Sequence, residues 1–252
     1  MKGSLLSVII MKAPKLMNNI IIFGASGHGS VILDSIEHTD RFNIIGFVDS
    51  FKPKGYLING YEVLGNEADL PSLVNRFNIS SGIVAIGDNW VRKAIVERIC
   101  RLVPDFKFAR VIHPRAVVGK DVRIGAGSVL MPGAIVNANS VVGAHCIINT
   151  NSSLGHDGLM HDFSSLASGV CMGGNCTLGT YSAVSLGANV IENINIGEHT
   201  VIGAGSLVVS DIQSHVMAYG SPAKVIRGRK VGDKYLSGNK KRPVTPFMAS
   251  DY

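Results

Sequence analysis

The sequence is short of several things, and each shortage excludes something. Only 17% of its 252 residues are charged and 6% aromatic. Basic and aromatic residues do not interleave in the way that single-stranded nucleic acid requires, so no nucleic-acid partner is expected. No apolar run reaches the roughly 20 residues of a membrane-spanning helix, so no membrane span is expected. The four cysteines, Cys100, Cys146, Cys171 and Cys176, contain no C-x-x-C pair. That pattern gives no zinc site, no metal is expected, and a reducing cytoplasm is the expected compartment. Residues 5–11 faintly resemble the apolar core of a signal peptide. The run is short, lacks an A-x-A site and is followed by Lys12 and Lys15. Residues 1–17 therefore read as an extension, with Met17 an alternative start.

The chain is 46% hydrophobic, has a net charge of +6, and spreads its basic residues apart from Arg227, Arg229, Lys230 and later Lys240, Lys241, Arg242. Such a surface suits a small polyanion, a nucleotide or coenzyme A, better than a nucleic acid. The length allows one large or two modest domains.

From Val118 to Val208 an aliphatic residue returns every sixth position: Val118, Ile124, Leu130 and Val136, continuing to Ile196, Ile202 and Val208. Four places after most of them stands a small residue, as at Ser128, Ala134, Cys146, Ser164 and Cys176. A period of six fits neither a helix nor a flat strand. It fits a parallel β-helix of about five triangular coils, three hexads to a coil, with the aliphatics stacked inside. A β-sandwich is the competing fold, but hairpin signals do not recur at a matching interval. Glycine after the aliphatic, as at Gly143, Gly155 and Gly173, is expected to turn the corner with φ > 0. Cys146 and Cys176 fall on interior places and read as core thiols.

Before the coil lies α/β sequence. Ile20–Phe23 reads as a buried parallel strand. It runs into Gly24-Ala25-Ser26-Gly27-His28-Gly29 and an amphipathic helix from Ser30 to His38. Strand, glycine turn and helix together make a phosphate cradle. A second strand, Ile44–Val48, ends at Asp49, placed to reach a ribose or base, with Ser50 beside it. The turn is G-x-x-G-x-G rather than the dinucleotide spacing, and the region is only about ninety residues long. Half a Rossmann fold holding one nucleotide is expected over 18–112, although the same turn also occurs with no ligand. Residues 66–70 open a helical piece, Gly82–Ile86 reads as a third strand, and a helix follows from Val91 to Leu102. Gly87, Asp88 and Asn89 sit where open α/β sheets bind ligands. Arg92 is placed to pair with a phosphate, its alternative being a solvated helix face. Phe106–Ile112 reads as the last strand, and His113-Pro114 makes the crossing into a coil domain over 113–230. The tail, 231–252, is expected to fray or to pack on a neighbouring subunit.

The coil surface turns polar at one place, His156-Asp157, with His161-Asp162 one hexad later. His156 points outward past a corner. Eighteen residues on, Gly174 lies over it, and eighteen before it is Ala138. A histidine in a notch beneath an open backbone amide suits a general base beside an oxyanion donor. An ordinary surface histidine is the alternative.

On these residues, with Phe47-Val48-Asp49-Ser50 and Ser221-Pro222-Ala223-Lys224, the chain resembles the bacterial hexapeptide-repeat sugar acetyltransferases of the PglD type, over about residues 18–230. That family comprises sialic-acid O-acetyltransferases and UDP-4-amino-sugar N-acetyltransferases. The resemblance implies a left-handed parallel β-helix, a homotrimer with active sites between subunits, and acetyl-CoA as co-substrate without a metal. It implies that the glycine turn (Gly24, Ser26, Gly27, His28, Gly29) meets the diphosphate of a nucleotide-linked sugar, that Asp49, with Ser50, reaches the base and that Asn149 lies near the sugar; Gly87, Asp88, Asn89 and Arg92 are expected to bind the same substrate from their position. It implies His156 as base with Asp157 as its partner, and Gly173, Gly174, Ser165, Ala223 and Lys224 toward acetyl-CoA. Members often carry a second histidine where this chain has Ser165. The implied reaction is N-acetylation of a nucleotide-linked 4-amino-4,6-dideoxy sugar for surface glycans. O-acetylation of a sugar or sialic acid, a nucleotide-sugar-binding trimer without catalysis, and a purely structural trimer are the alternatives.

Overall fold

A computed structural model describes residues 17–236. The expected extension over 1–16 and the tail from 237 lie outside the described residues. The first half is a five-stranded sheet in the order β3-β4-β2-β1-β5, built from β1 (Asn18–Phe23), β2 (Phe42–Val48), β3 (Leu57–Ile58), β4 (Tyr61–Gly65) and β5 (Ser81–Val84). β1 is an interior strand, parallel to both β2 and β5. Ile20, Ile21, Ile22 and Phe23 are almost wholly buried because helices and coil cover both faces of the sheet. Helices α1 (Gly27–Glu37), α2 (Leu70–Phe77) and α3 (Asn89–Leu102) pack against it.

Two details differ from the sequence reading. The α1 helix begins at Gly27, so Gly27, His28 and Gly29 form its first turn instead of a loop. The sheet also gains the β3–β4 hairpin, closed by Asn59 (φ 47°) and Gly60 (φ 86°). That Asn-Gly pair is the usual signature of a two-residue turn with both residues left-handed.

The second half is the expected parallel β-helix. Up to Val208 the strands pair with strands eighteen residues on, for example Ser153 with Cys171 and Leu154 with Met172, and the last coil is shorter, with Val201 paired to Met217. The strands stack as three sheets, the faces of a triangular prism. Leu130, Val136, Ile148, Leu154, Met160, Leu166 and their repeats form one buried column, and Cys146 and Cys176 are buried among them. Cα glycines behave differently from expectation. The left-handed residue of each corner is the third after the aliphatic, as at Asn139, His145, Asn151, Asp157 and Phe163. The glycine directly after the aliphatic serves close stacking of coils instead: a Cβ on Gly173 would lie 2.7 Å from the backbone nitrogen of Glu192.

The coil starts earlier than expected. Val111–Ile112 (β6) pairs with Val129–Leu130 inside the prism, while Phe108 bridges to Gly82 of the N-terminal sheet. The segment read as one last strand is therefore divided between the two halves. The N-terminal half covers one prism face, whose outward residues Val129, Ile147, Ser165, Ala183 and Val201 are buried. The next face leaves Val117 and Ile135 exposed. Beyond the coil, a hairpin of Val216–Gly220 and Ala223–Gly228 extends the covered sheet. The chain then turns back over residues 229–236 and reaches Trp90 and Gly87. The described part of the tail thus packs on its own chain instead of fraying.

Candidate active site

The expected site residues fall into four groups. The first is the corner after the Ser153–Leu154 strand. His156 and Asp157 are both well exposed, and His156 Nδ1 lies 2.7 Å from Asp157 Oδ2. Asp157 Oδ1 accepts from the Asn139 amide at 3.1 Å. These two bonds, the one from His156 first, hold the Asp157 carboxyl below its ordinary range. Gly174 lies directly against the imidazole: a Cβ there would meet His156 Nε2 at 2.5 Å. The Asn175 amide bonds the His156 carbonyl at 2.9 Å, which fixes the register. The geometry is an outward imidazole, oriented at Nδ1 by a carboxylate, with Nε2 beside a glycine backbone. It can accept a proton from a nucleophile brought to Nε2.

The second group lines a cavity of about 410 Å³ on the covered face. His28, Gly87, Asn149 and Ser165 meet there. Aliphatic residues such as Leu166 and Val184 form most of its remaining wall. The His28 Nε2 atom is buried without a hydrogen-bond partner among the described residues. Burial first, and the nearby Arg92 second, lower the His28 pKa to about 4. The ring is therefore neutral, with one nitrogen unpaired among the described residues.

The third group is the glycine turn. Gly24 takes φ 111°, a conformation that side chains rarely adopt. Ser26 caps α1 in extended conformation without a side-chain bond, and the first turn carries no acidic residue. The helix N-terminus therefore presents free amides to an anion. A Cβ at Gly27 would meet nothing, so a ligand can approach its backbone. Asp49 is committed locally: Oδ2 accepts from the Ala25 amide at 2.7 Å and Oδ1 from the Phe51 amide at 2.7 Å. It shapes the turn that was expected to work alongside it. Ser50 bonds the Glu67 carboxylate. A cleft of about 300 Å³ beside the turn is lined by Ser26, Ser30, Lys52 and Tyr56 among others. Lys52 and Tyr56 were not expected from the sequence.

The fourth group holds the two halves together. Arg92 is 1% exposed. Its guanidinium donates to the carbonyls of His145 (2.8 Å), Ile86 (2.8 Å), Gly87 (3.1 Å) and Phe163 (3.2 Å) and to Asn89 Oδ1 (2.6 Å). Asn89, wholly buried, donates to the Ser182 carbonyl at 3.0 Å. The expected phosphate contact of Arg92 and ligand contact of Asn89 are corrected by this arrangement: their polar atoms are spent on each other and on protein carbonyls on both sides of the junction. Asp88 caps α3 through Oδ1, bonding the Trp90 and Val91 amides. Its Oδ2 is buried without a partner among the described residues.

With this geometry in hand, comparison with known proteins is direct. Residues 19–99 match the model of the PglD N-terminal domain, and residues 115–150 match that of bacterial transferase hexapeptide repeats. A UDP-N-acetylbacillosamine N-acetyltransferase of Bacillus subtilis is 34% identical over 115 residues, 46% of this chain; the match spans about half (52%) of that relative. A perosamine N-acetyltransferase of Caulobacter crescentus, as a histidine variant in complex with CoA and GDP-perosamine, superposes with a TM-score of 0.79 at 31% identity. That alignment covers 83% of this chain and 97% of the other. The acetyltransferase domain of PglB from Neisseria gonorrhoeae, in complex with acetyl coenzyme A, gives 0.78 at 32% identity, covering 83% of this chain and 100% of the domain. This chain belongs to the PglD-type hexapeptide-repeat sugar acetyltransferases.

Within this acetyltransferase, the family's features do not all meet on one chain. His156, Asp157, Gly173 and Gly174 occupy one corner of the prism. His28, Asn149 and Ser165 lie at the preceding corner, with a whole prism face between the two groups. Ala223 and Lys224 stand on the terminal hairpin, Ala223 partly buried and Lys224 exposed. Tyr235 and Leu236 of the tail line the His28 cavity. No local pattern in the sequence marks them, since only the return path of the chain brings them there. Among the described residues no helix is long and apolar enough to cross a membrane.

Proposed function

We propose that the protein transfers an acetyl group from acetyl-CoA to the amine of a nucleotide-linked amino sugar, with His156 as general base. The observation that carries the reading is the His156–Asp157–Gly174 corner on this fold. The relatives support the substrates: one was crystallised with CoA and GDP-perosamine, another with acetyl coenzyme A. His156 Nε2 takes a proton from the attacking nitrogen while Asp157 orients the ring at Nδ1. The nitrogen lone pair forms the bond to the thioester carbonyl carbon. The Gly174 N–H, which has no acceptor among the described residues, stabilises the resulting oxyanion. The C–S bond then breaks, and the sulfur leaves as a thiolate that recovers the proton from His156. The α1 N-terminus and the cleft at Lys52 and Tyr56 hold the diphosphate and nucleoside.

The complete site forms between copies. The His156 corner of one copy faces the His28 cavity of the next, in a homotrimer of prisms. The intervening face is suited to contact, with Val117 57%, Ile135 38%, Leu186 60%, Ile191 41% and Val209 44% exposed on it or at its corners. Such an enzyme serves surface glycan assembly in the cytoplasm.

The test is a thiol-release assay with acetyl-CoA against a panel of UDP-, GDP- and dTDP-linked amino sugars, with mass spectrometry of the product. An added acetyl that survives mild base is an amide and supports the reading. An acetyl lost in mild base is an ester and replaces it with O-acetylation. Nucleotide-sugar binding without thiol release replaces it with a non-catalytic binder.

A further inference from the structure

We propose that Tyr235 is a positioning residue of the acceptor pocket, set there by a strap of residues 229–236 that the chain folds back past Trp90 to Gly87. The proposal rests on the reading of the His28 cavity as part of the acceptor site.

The strap is built into the molecule at several points. The Arg229 guanidinium donates to the His199 carbonyl at 2.9 Å and to the Asp233 carbonyl at 2.5 Å. The Asp233 carboxylate accepts from the Lys230 amide at 3.0 Å and lies 3.5 Å from Arg227. Arg229 also sits over the Tyr235 ring at 5.5 Å. Gly232 passes so close to Trp90 that a Cβ there would lie 3.2 Å from the indole nitrogen. These contacts deliver Tyr235 and Leu236 into the wall of the cavity that holds His28, Asn149 and Ser165.

The phenol sits among polar groups. Its hydroxyl points to the Gly87 carbonyl at 3.4 Å, and Ser165 lines the same cavity. Burial outweighs these contacts and raises the phenol above its ordinary range, so it remains protonated. Ser165 is small, and its side chain leaves room in the wall that a phenol can enter. Across the same cavity, the buried His28 Nε2 has no partner among the described residues. A polar nitrogen on one side and a hydroxyl pair on the other, set in aliphatic walls, suit a sugar ring with one polar edge. Tyr235 thereby fixes the width of the pocket and the polar edge on that side.

The experiment uses the full chain with Tyr235→Ala and Tyr235→Phe. Steady-state kinetics are measured in both substrates, together with thermal stability and the emission of Trp90, the single tryptophan, which reports the strap. For Tyr235→Ala the expected result is an acceptor KM raised about tenfold or more, with the acetyl-CoA KM within about twofold. Tm is expected to stay unchanged. Tyr235→Phe keeps the wall and is expected to fall between Tyr235→Ala and wild type. An unchanged acceptor KM in Tyr235→Ala overturns the proposal. So does a parallel rise of both KM values with a falling Tm, the mark of a merely structural strap. If the wild type binds nucleotide sugars without transferring acetyl, the catalytic reading fails alone. The strap is then judged on Trp90 titrations with the same sugars, where Tyr235→Ala must weaken binding about tenfold. A wild type that binds none of them overturns both.

Discussion

At the His156 corner, three residues meet, to which the proposed mechanism gives separate tasks. The imidazole is outside the core, Asp157 orients one nitrogen, and Gly174 leaves room for the other only because it lacks a Cβ. Replacing Gly174 by Ala is expected to push the ring away from its position and to lower kcat on the order of a hundredfold. Gly174 does not have a left-handed φ, so circular dichroism and Tm should stay close to wild type. Asp157→Asn leaves the ring in place without its charged partner and should cost less kcat than His156→Ala. Arg92 gives a contrasting case. Its guanidinium meets only protein acceptors, so Arg92→Met strands buried carbonyls on both sides of the domain junction. At about 1–3 kcal/mol for each unsatisfied group, the expected loss is several kcal/mol, read as a lower denaturant midpoint. If instead stability holds and only the nucleotide-sugar KM rises, Arg92 is a phosphate ligand after all.

Between residues and the whole molecule stand the coils, and there a ladder of rings is informative. His145, Phe163, Tyr181 and His199 occupy the same left-handed corner position in successive coils and stack on one another, with centroids 4.8, 5.6 and 4.7 Å apart. His145 is the buried rung: burial first, and Arg92 second, lower its pKa to about 4, and its Nδ1 has no partner among the described residues. Unfolded histidine titrates near 6.5, so the unfolded chain binds more protons than the folded one between about 6.5 and 4. Stability is therefore full above about pH 6.5 and lost as pH falls toward 4. His28 contributes with the same sign. His145→Phe places in this rung the ring that Phe163 already carries in the next. It should flatten that acid loss in urea midpoints measured from pH 7 to 4. A midpoint that falls as steeply as in wild type would contradict the assignment.

The same elements explain what the sequence made legible. The hexads announced the prism, and the eighteen-residue register that follows from them placed Gly174 over His156, because a repeat converts sequence distance into spatial distance. Other placements had no such ruler. The polar, helix-borne Arg92 resembles any solvated arginine until the coil is folded against it. The β3–β4 hairpin did carry its signal in Asn59-Gly60, but the two-residue strand Leu57–Ile58 is too short to show a period. The post-aliphatic glycines were recognisable as special, but their reason is the close approach of the next coil, which no local pattern shows. Tyr235 is placed by a return path through a polar tail and has no local signature.

At the scale of the whole molecule, the account turns on the His156 corner and the His28 cavity lying at different corners of one prism. A site that needs both needs two copies. In solution the protein should sediment as a trimer. An Ile135→Asp substitution on the face between the two corners should lower its mass to that of a monomer, with activity lost and the folded circular dichroism kept. The measurement that tests the central claim most directly mixes two defective chains. His156→Ala lacks the base, and His28→Ala lacks the free nitrogen in the cavity, so each homotrimer should be nearly inactive in acetyl transfer to an amino-sugar nucleotide. Co-expressed in equal amounts, they should regain activity, because some interfaces join an intact His156 to an intact cavity. Random assembly predicts about one quarter of the wild-type rate. Mixed trimers that stay as inactive as the separate variants would contradict a site shared between copies.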